Sequence, residues 1–88
     1  MTHTLQKKAD IIKAMGHPVR LEMLYALREE ERCVCKLQEL SGLDMSTISR
    51  HLSVLKNAGL VTARKDKNWI FYTLARPCAL DFADCLEK

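Results

Sequence analysis

Cys33-Val34-Cys35 is the segment of this 88-residue chain best equipped for chemistry. Thiolates are soft donors and select arsenic(III), antimony(III), cadmium, lead and copper(I), with zinc a borderline case. Two residues apart on a regular helix, side chains diverge by about 200°. The two sulfurs can share an ion only if one cysteine lies outside the helix or the first helical turn unwinds. In the second case a bound ion deforms the helix and misplaces whatever it supports. A helix start also favours thiolate over thiol. Neighbouring thiols can instead form a disulfide or react with persulfides, so a redox reading stands beside the metal reading. The plain alternative is a pair of small buried hydrophobes. Cys78 and Cys85 lie seven residues apart, roughly 10.5 Å along a helix axis. That exceeds the ~7 Å Cα limit for a disulfide. They read first as part of an apolar seam, and either is a candidate third metal ligand.

About a dozen residues downstream of the thiols, the segment from Asp44 to Asn57 has the pattern of a recognition helix. On a helical projection Ile48, Leu52 and Leu55 fall within about 40° of one line and form the core stripe. Ser46, Arg50, Ser53 and Asn57 lie on the opposite side, with Thr47 and Ser49 on the flanks. His51 sits at the edge of the stripe and reads as a packing or phosphate-contacting residue. No acid follows Asp44 on this helix, whereas ordinary surface helices balance their cations with glutamates. A short, polar, basic face of this kind suits the DNA major groove, and Arg50 suits a bidentate contact to guanine.

The remaining elements follow from periodicity. Residues 5–15 have a helical pattern stopped by Gly16, and Pro18 opens a second helix with an apolar stripe through Val19, Leu21, Leu24 and Tyr25. The run 28–32 reads as a polar helix end and loop. A short helix spans 34–40, with Val34, Leu37 and Leu40 on its apolar side. Gly42 makes the turn, Asp44 caps the recognition helix of about 45–57, and Gly59 ends it. Alternation in residues 61–64 and 69–74 signals a β-hairpin, a wing over about 61–74. Arg64, Lys65 and Lys67 suit contact with the DNA backbone or minor groove, and Trp69 reads as a core anchor. Pro77 opens a last helix to about residue 87, on which Cys78, Phe82, Cys85 and Leu86 share one face. The expectation is a single, mainly α winged helix-turn-helix domain over 1–88, paired as a homodimer through that last helix.

Size and charge are consistent with this. A chain of 88 residues buries only roughly 60–65% of its unfolded surface, so a partner subunit, metal or crosslink is expected to help. The net charge is +3, and residues 44–69 hold the excess, with five basic against two acidic side chains. That is the footprint of a DNA-binding face. There is no apolar run long enough for a membrane span and no signal-peptide core, which points to the cytoplasm. Four cysteines in that compartment read as thiols for metal or redox chemistry rather than a disulfide framework. A thiol oxidoreductase is disfavoured, because the chain has neither a Cys-x-x-Cys motif nor a βαβ pattern; no enzyme, organic cofactor or small organic substrate is expected.

Several segments, in order, resemble the ArsR/SmtB repressors: residues 17–24 (HPVRLEML), Cys33-Val34-Cys35, residues 46–52 (STISRHL), residues 55–61 (LKNAGLV) and residues 69–72 (WIFY). The resemblance implies a homodimer that represses a metal-resistance operon on double-stranded DNA and leaves it when metal binds. Cys33-Val34-Cys35 resembles the site of the arsenite-responsive branch, with arsenite or antimonite as inducer and cadmium, lead or zinc as further ligands. In that branch a third cysteine follows three residues on, where this chain has Gln38. Cys78 or Cys85, from the same chain or its partner, would supply the missing thiolate, or a weaker donor would complete the site. The zinc-sensing branch is disfavoured: Asp81 is followed two residues later by Ala83, and no histidine lies beyond His51.

Overall fold

The computed structural model describes residues 2–87. Five helices and three strands follow in the order α1 (Thr2–Met15), α2 (Pro18–Glu29), β1 (Arg32–Cys33), α3 (Val34–Ser41), α4 (Met45–Asn57), β2 (Val61–Asp66), β3 (Trp69–Leu74) and α5 (Pro77–Cys85). Local chemistry sets most of the boundaries. Pro18 starts α2, where a missing N–H costs nothing, and His17 caps it by accepting from the Val19 N–H. Gly42 ends α3 at φ 72°, a left-handed conformation that strains any residue with a Cβ. Asp44 caps α4 through the Thr47 N–H at 3.3 Å.

α3 and α4 form the helix-turn-helix. Ile48, Leu52 and Leu55 of α4 are fully buried, as their spacing predicts, and pack with Met23, Leu24 and Leu27 of α2, Leu37 of α3, Leu60, Val61 and Leu80. Burying such side chains is the main force holding α4 at its angle to the rest. Tyr25 and Arg28 of α2 lock α5 in place: the Tyr25 hydroxyl donates to Asp84 at 2.5 Å and the Arg28 guanidinium at 2.9 Å. The hydrogen bond to this carboxylate pushes the Tyr25 hydroxyl above its ordinary pKa.

The sheet departs from expectation. The wing is not a free two-stranded hairpin but part of a three-stranded antiparallel sheet in the order β1-β3-β2. Arg32, which reads as loop, and Cys33, just before the helix expected over 34–40, pair with Tyr72 and Phe71. A strand of two residues is too short to carry a period-two signal. Trp69 also corrects the sequence reading. It lies at the wing tip opposite Asp66 and is 54% exposed, because β2 and β3 project beyond the core there. Other exposed apolar side chains are Leu5 and Ile12 on α1, Leu40 on α3, Met45 on α4, Ile70 on β3, Phe82 on α5 and Leu86 just after it. Among the described residues no helix is long and apolar enough to cross a membrane.

Candidate nucleic-acid interface and thiol site

The outer face of α4 carries Ser46, Ser49, Arg50 and Ser53, all exposed, with Thr47 half-buried beside them. The Ser46 hydroxyl donates to the capping Asp44 carboxylate at 2.9 Å. Hydrogen bonds from Thr47 and Ser46 hold that carboxyl below its ordinary pKa. The cap stays ionised and the first turn of α4 is fixed. Arg50 makes no ion pair among the described residues, so its guanidinium is open to a partner. Asn57 is separated from this group. It lies about 16 Å along the axis from Ser46, in a groove against Asp10, Lys13 and Ala14 of α1.

His51 is half-buried against His17, with ring centroids 4.5 Å apart. Burial lowers its pKa, and the charges of His17, Arg20 and Arg50 lower it further. The neutral imidazole is therefore favoured in the free protein, beside cations that await an anion.

The wing's three cations separate. Arg64 does not point freely outward: its Nε and Nη2 donate to the two Glu31 oxygens at 2.8 and 2.7 Å, and its guanidinium lies 4.6 Å over the Phe71 ring. Thr73 donates to the same carboxylate at 3.1 Å. Hydrogen bonding from Arg64 is the main cause that holds the Glu31 carboxyl below its usual pKa. In the free protein the Arg64 guanidinium is thus already engaged, and a contact with the DNA backbone would have to share or replace Glu31. Lys65 and Lys67 are exposed and take up no such partner among the described residues. Glu31 and Phe71 escape sequence reasoning, since the Arg64 partner lies 33 positions away.

At the other end of the helix-turn-helix, Cys33 and Cys35 are joined by a disulfide, with Cα atoms 5.4 Å apart. The geometry settles which of the two routes brings the sulfurs together. Cys33 is the N-cap of α3, with extended backbone (φ −74°, ψ 159°), and its Sγ accepts from the Lys36 N–H at 3.3 Å. Cys35 sits in the first turn, and α3 runs unbroken from Val34 to Ser41. Joining the sulfurs therefore leaves the helix intact: of the two routes, the one with a cysteine outside the helix is realised, and the deformation of α3 expected from the other is not seen with the sulfurs joined. Among the described residues of one protomer neither Cys78 nor Cys85 joins Cys33 and Cys35 in a three-donor group. Cys78 and Cys85 are exposed on α5, and Cys78 lines a groove with Ile11, Ile12 and Met15 of α1. Among the described residues no three metal-binding side chains gather. The donor set suits two-thiolate coordination of a soft ion.

A helix-turn-helix with a bare basic face, flanked by a β-wing, defines a winged helix-turn-helix DNA-binding regulator. The chain belongs to the arsR family of bacterial regulatory proteins, whose family model matches residues 17–63. An uncharacterised HTH-type transcriptional regulator of Methanocaldococcus jannaschii is 47% identical over 68 residues, 76% of either chain. A putative arsenical resistance operon repressor of Halobacterium salinarum is 41% identical over 64 residues, covering 70% of this chain and 54% of the relative. Among solved structures, the homodimeric winged helix-turn-helix DNA-binding domain of a possible ArsR-family regulator from Mycobacterium bovis superposes with a TM-score of 0.85. It is 31% identical, with 98% of this chain and 84% of that one covered.

Proposed function

We propose that the chain is a homodimeric repressor of a metal(loid)-resistance operon, released from its operator when arsenite or a similar thiophilic ion is taken up by Cys33 and Cys35. The observation that carries this reading is the meeting of the two sulfurs at the N-cap of α3, one turn-connected helix away from α4. The similarity to the putative arsenical resistance operon repressor of Halobacterium supports the choice of ion. Once the cysteines are reduced, each thiol that bonds arsenic(III) gives its proton to a departing hydroxide, released as water. Two such bonds leave one hydroxyl on arsenic, so a third cysteine in place of Gln38 is not required.

On the DNA side, Arg50 reads a base edge, with Ser46, Thr47, Ser49 and Ser53 around it. Lys65, Lys67 and His51 meet phosphates. The dimer forms through α1 and α5, where Leu5, Ile12, Phe82 and, just after α5, Leu86 are exposed apolar side chains available to a second copy. The homodimeric Mycobacterium neighbour supports pairing with a second copy. Two copies then present α4 to half-sites about one helical turn, ~34–36 Å, apart or a multiple of it.

A second reading, a thiol-redox repressor, is favoured by the disulfide that joins the pair. The two are separated by arsenite added under reducing conditions. A metalloid sensor releases its operator, whereas a purely redox sensor keeps it until an oxidant is added.

A further inference from the structure

We infer that the state of the thiol pair is relayed to the wing through Phe71 and Glu31, rather than to the recognition helix by deformation of α3; this rests on the reading of Cys33 and Cys35 as the sensing site. The sheet register carries the argument. Cys33 faces Phe71 across β1 and β3, and Phe71 faces Arg64 across β3 and β2. Residues directly opposite one another in a sheet project to the same side. Cys33, Phe71 and Arg64 therefore form one cross-strand row, from the sensing cysteine to the outer strand of the wing. Glu31, two residues before Cys33, runs parallel to that row. It grips Arg64 through two hydrogen bonds and Thr73 through a third. Paired N–H···O bonds of this kind fix orientation as well as distance. The cation-over-ring contact between Arg64 and Phe71 closes the unit.

The mechanical consequence follows from the length of β1. It has only two residues and continues directly into α3, whose N-cap is the same Cys33. A change of partner at the Cys33 sulfur acts on a strand held on one side by the β3 ladder and the Glu31 clamp, and on the other by Arg32, which donates to the Ala26 carbonyl and the Glu29 carboxylate at 3.0 Å and so anchors that end to α2. α3 is a continuous helix packed on α4 and is intact with the sulfurs joined, so it resists the change. The compliant path leads into β3 and the wing. Glu31 and Phe71 are positioning residues in this scheme, and neither needs to touch DNA.

Trp69 supplies the readout. It is the only tryptophan in the chain, it is exposed, and it lies on β3 two residues from Phe71 on the same side of the sheet. The test compares reduced wild type with E31Q and F71L, with and without arsenite. It follows Trp69 emission without DNA and operator affinity by anisotropy. For wild type we expect a saturable change in Trp69 emission and a 5- to 150-fold loss of operator affinity on loading, the usual span of allosteric coupling. For E31Q and F71L, arsenite still binds with the stoichiometry of wild type, while the loss of operator affinity shrinks at least threefold and the emission change falls with it. Loaded wild type with unaltered Trp69 emission overturns the relay, even if a variant fails to fold. Variants that respond as fully as wild type overturn it as well. A wild type whose operator affinity ignores arsenite overturns the sensing reading, and the relay with it.

Discussion

Arg50→Ala separates recognition from folding more cleanly than any other single change. The side chain is exposed and pairs with no carboxylate among the described residues, while Ile48, Leu52 and Leu55 on the opposite side of α4 are fully buried and untouched. Thermal stability should therefore stay within the ±0.5 kcal/mol typical of surface substitutions. Operator binding should not. A good bidentate contact to a base is worth about 1–3 kcal/mol of discrimination. A two-fold dimer makes the contact twice. The expected loss is about 2–6 kcal/mol, or roughly 30-fold to 20,000-fold in operator affinity. Anisotropy titrations at one salt concentration, on operator and on scrambled duplex, measure it, with circular dichroism as the folding control. A much larger loss on operator than on scrambled duplex marks a base contact. Equal losses on both mean that Arg50 holds only phosphate, and unchanged affinity removes it from the interface. Arg64→Ala is the contrasting control. Its guanidinium is already held by Glu31, so the direct effect on DNA should stay below about fivefold, the scale of an exposed ion pair.

Other perturbations test neighbouring parts of the account. Leu52→Ala removes a fully buried side chain and should cost about 2–5 kcal/mol, lowering the melting temperature by at least about 8 °C; a smaller shift contradicts the placement of α4 on the core. His51 has a pKa depressed by burial and by His17, Arg20 and Arg50. The unfolded chain thus takes up a proton first, so the free protein loses stability as pH falls below about 6.5, the ordinary histidine value. Phosphate favours the imidazolium, so operator affinity should rise over the same range, and H51Q should flatten that rise; an identical pH profile in the variant excludes His51 from the contact. Phe82→Asp with Leu86→Asp places charge on the apolar face of α5 and should yield monomers by sedimentation velocity, with operator affinity lost; an intact dimer moves the seam elsewhere.

What could be read from the sequence was what repeats. Ile48, Leu52 and Leu55 recur at helical spacing and are the residues that the core encloses. Asp44 and Gly42 act as the cap and turn that their types predict. The hairpin at 61–74 was legible from alternation, but alternation does not tell how far the core extends beneath it, and Trp69 was placed inside when it lies at the tip. β1 has two residues and no period, so the attachment of Cys33 to the wing sheet left no trace. The Glu31–Arg64 clamp joins positions 33 apart and could not be inferred from either neighbourhood. Whether Cys33 lies inside or outside α3 depends on one pair of backbone angles, which the pattern of residue types does not encode.

The central claim is that Cys33 and Cys35 together take the signal that frees the operator. Titration of fully reduced protein with arsenite, following thiolate–arsenic absorption and operator anisotropy in one cuvette, tests it most directly. The account predicts that both signals move together and saturate at one arsenic per chain, and that Cys33→Ser and Cys35→Ser each bind operator normally and abolish both changes. Release that persists in the double variant, or an operator complex that survives full loading of the wild-type thiols, contradicts it.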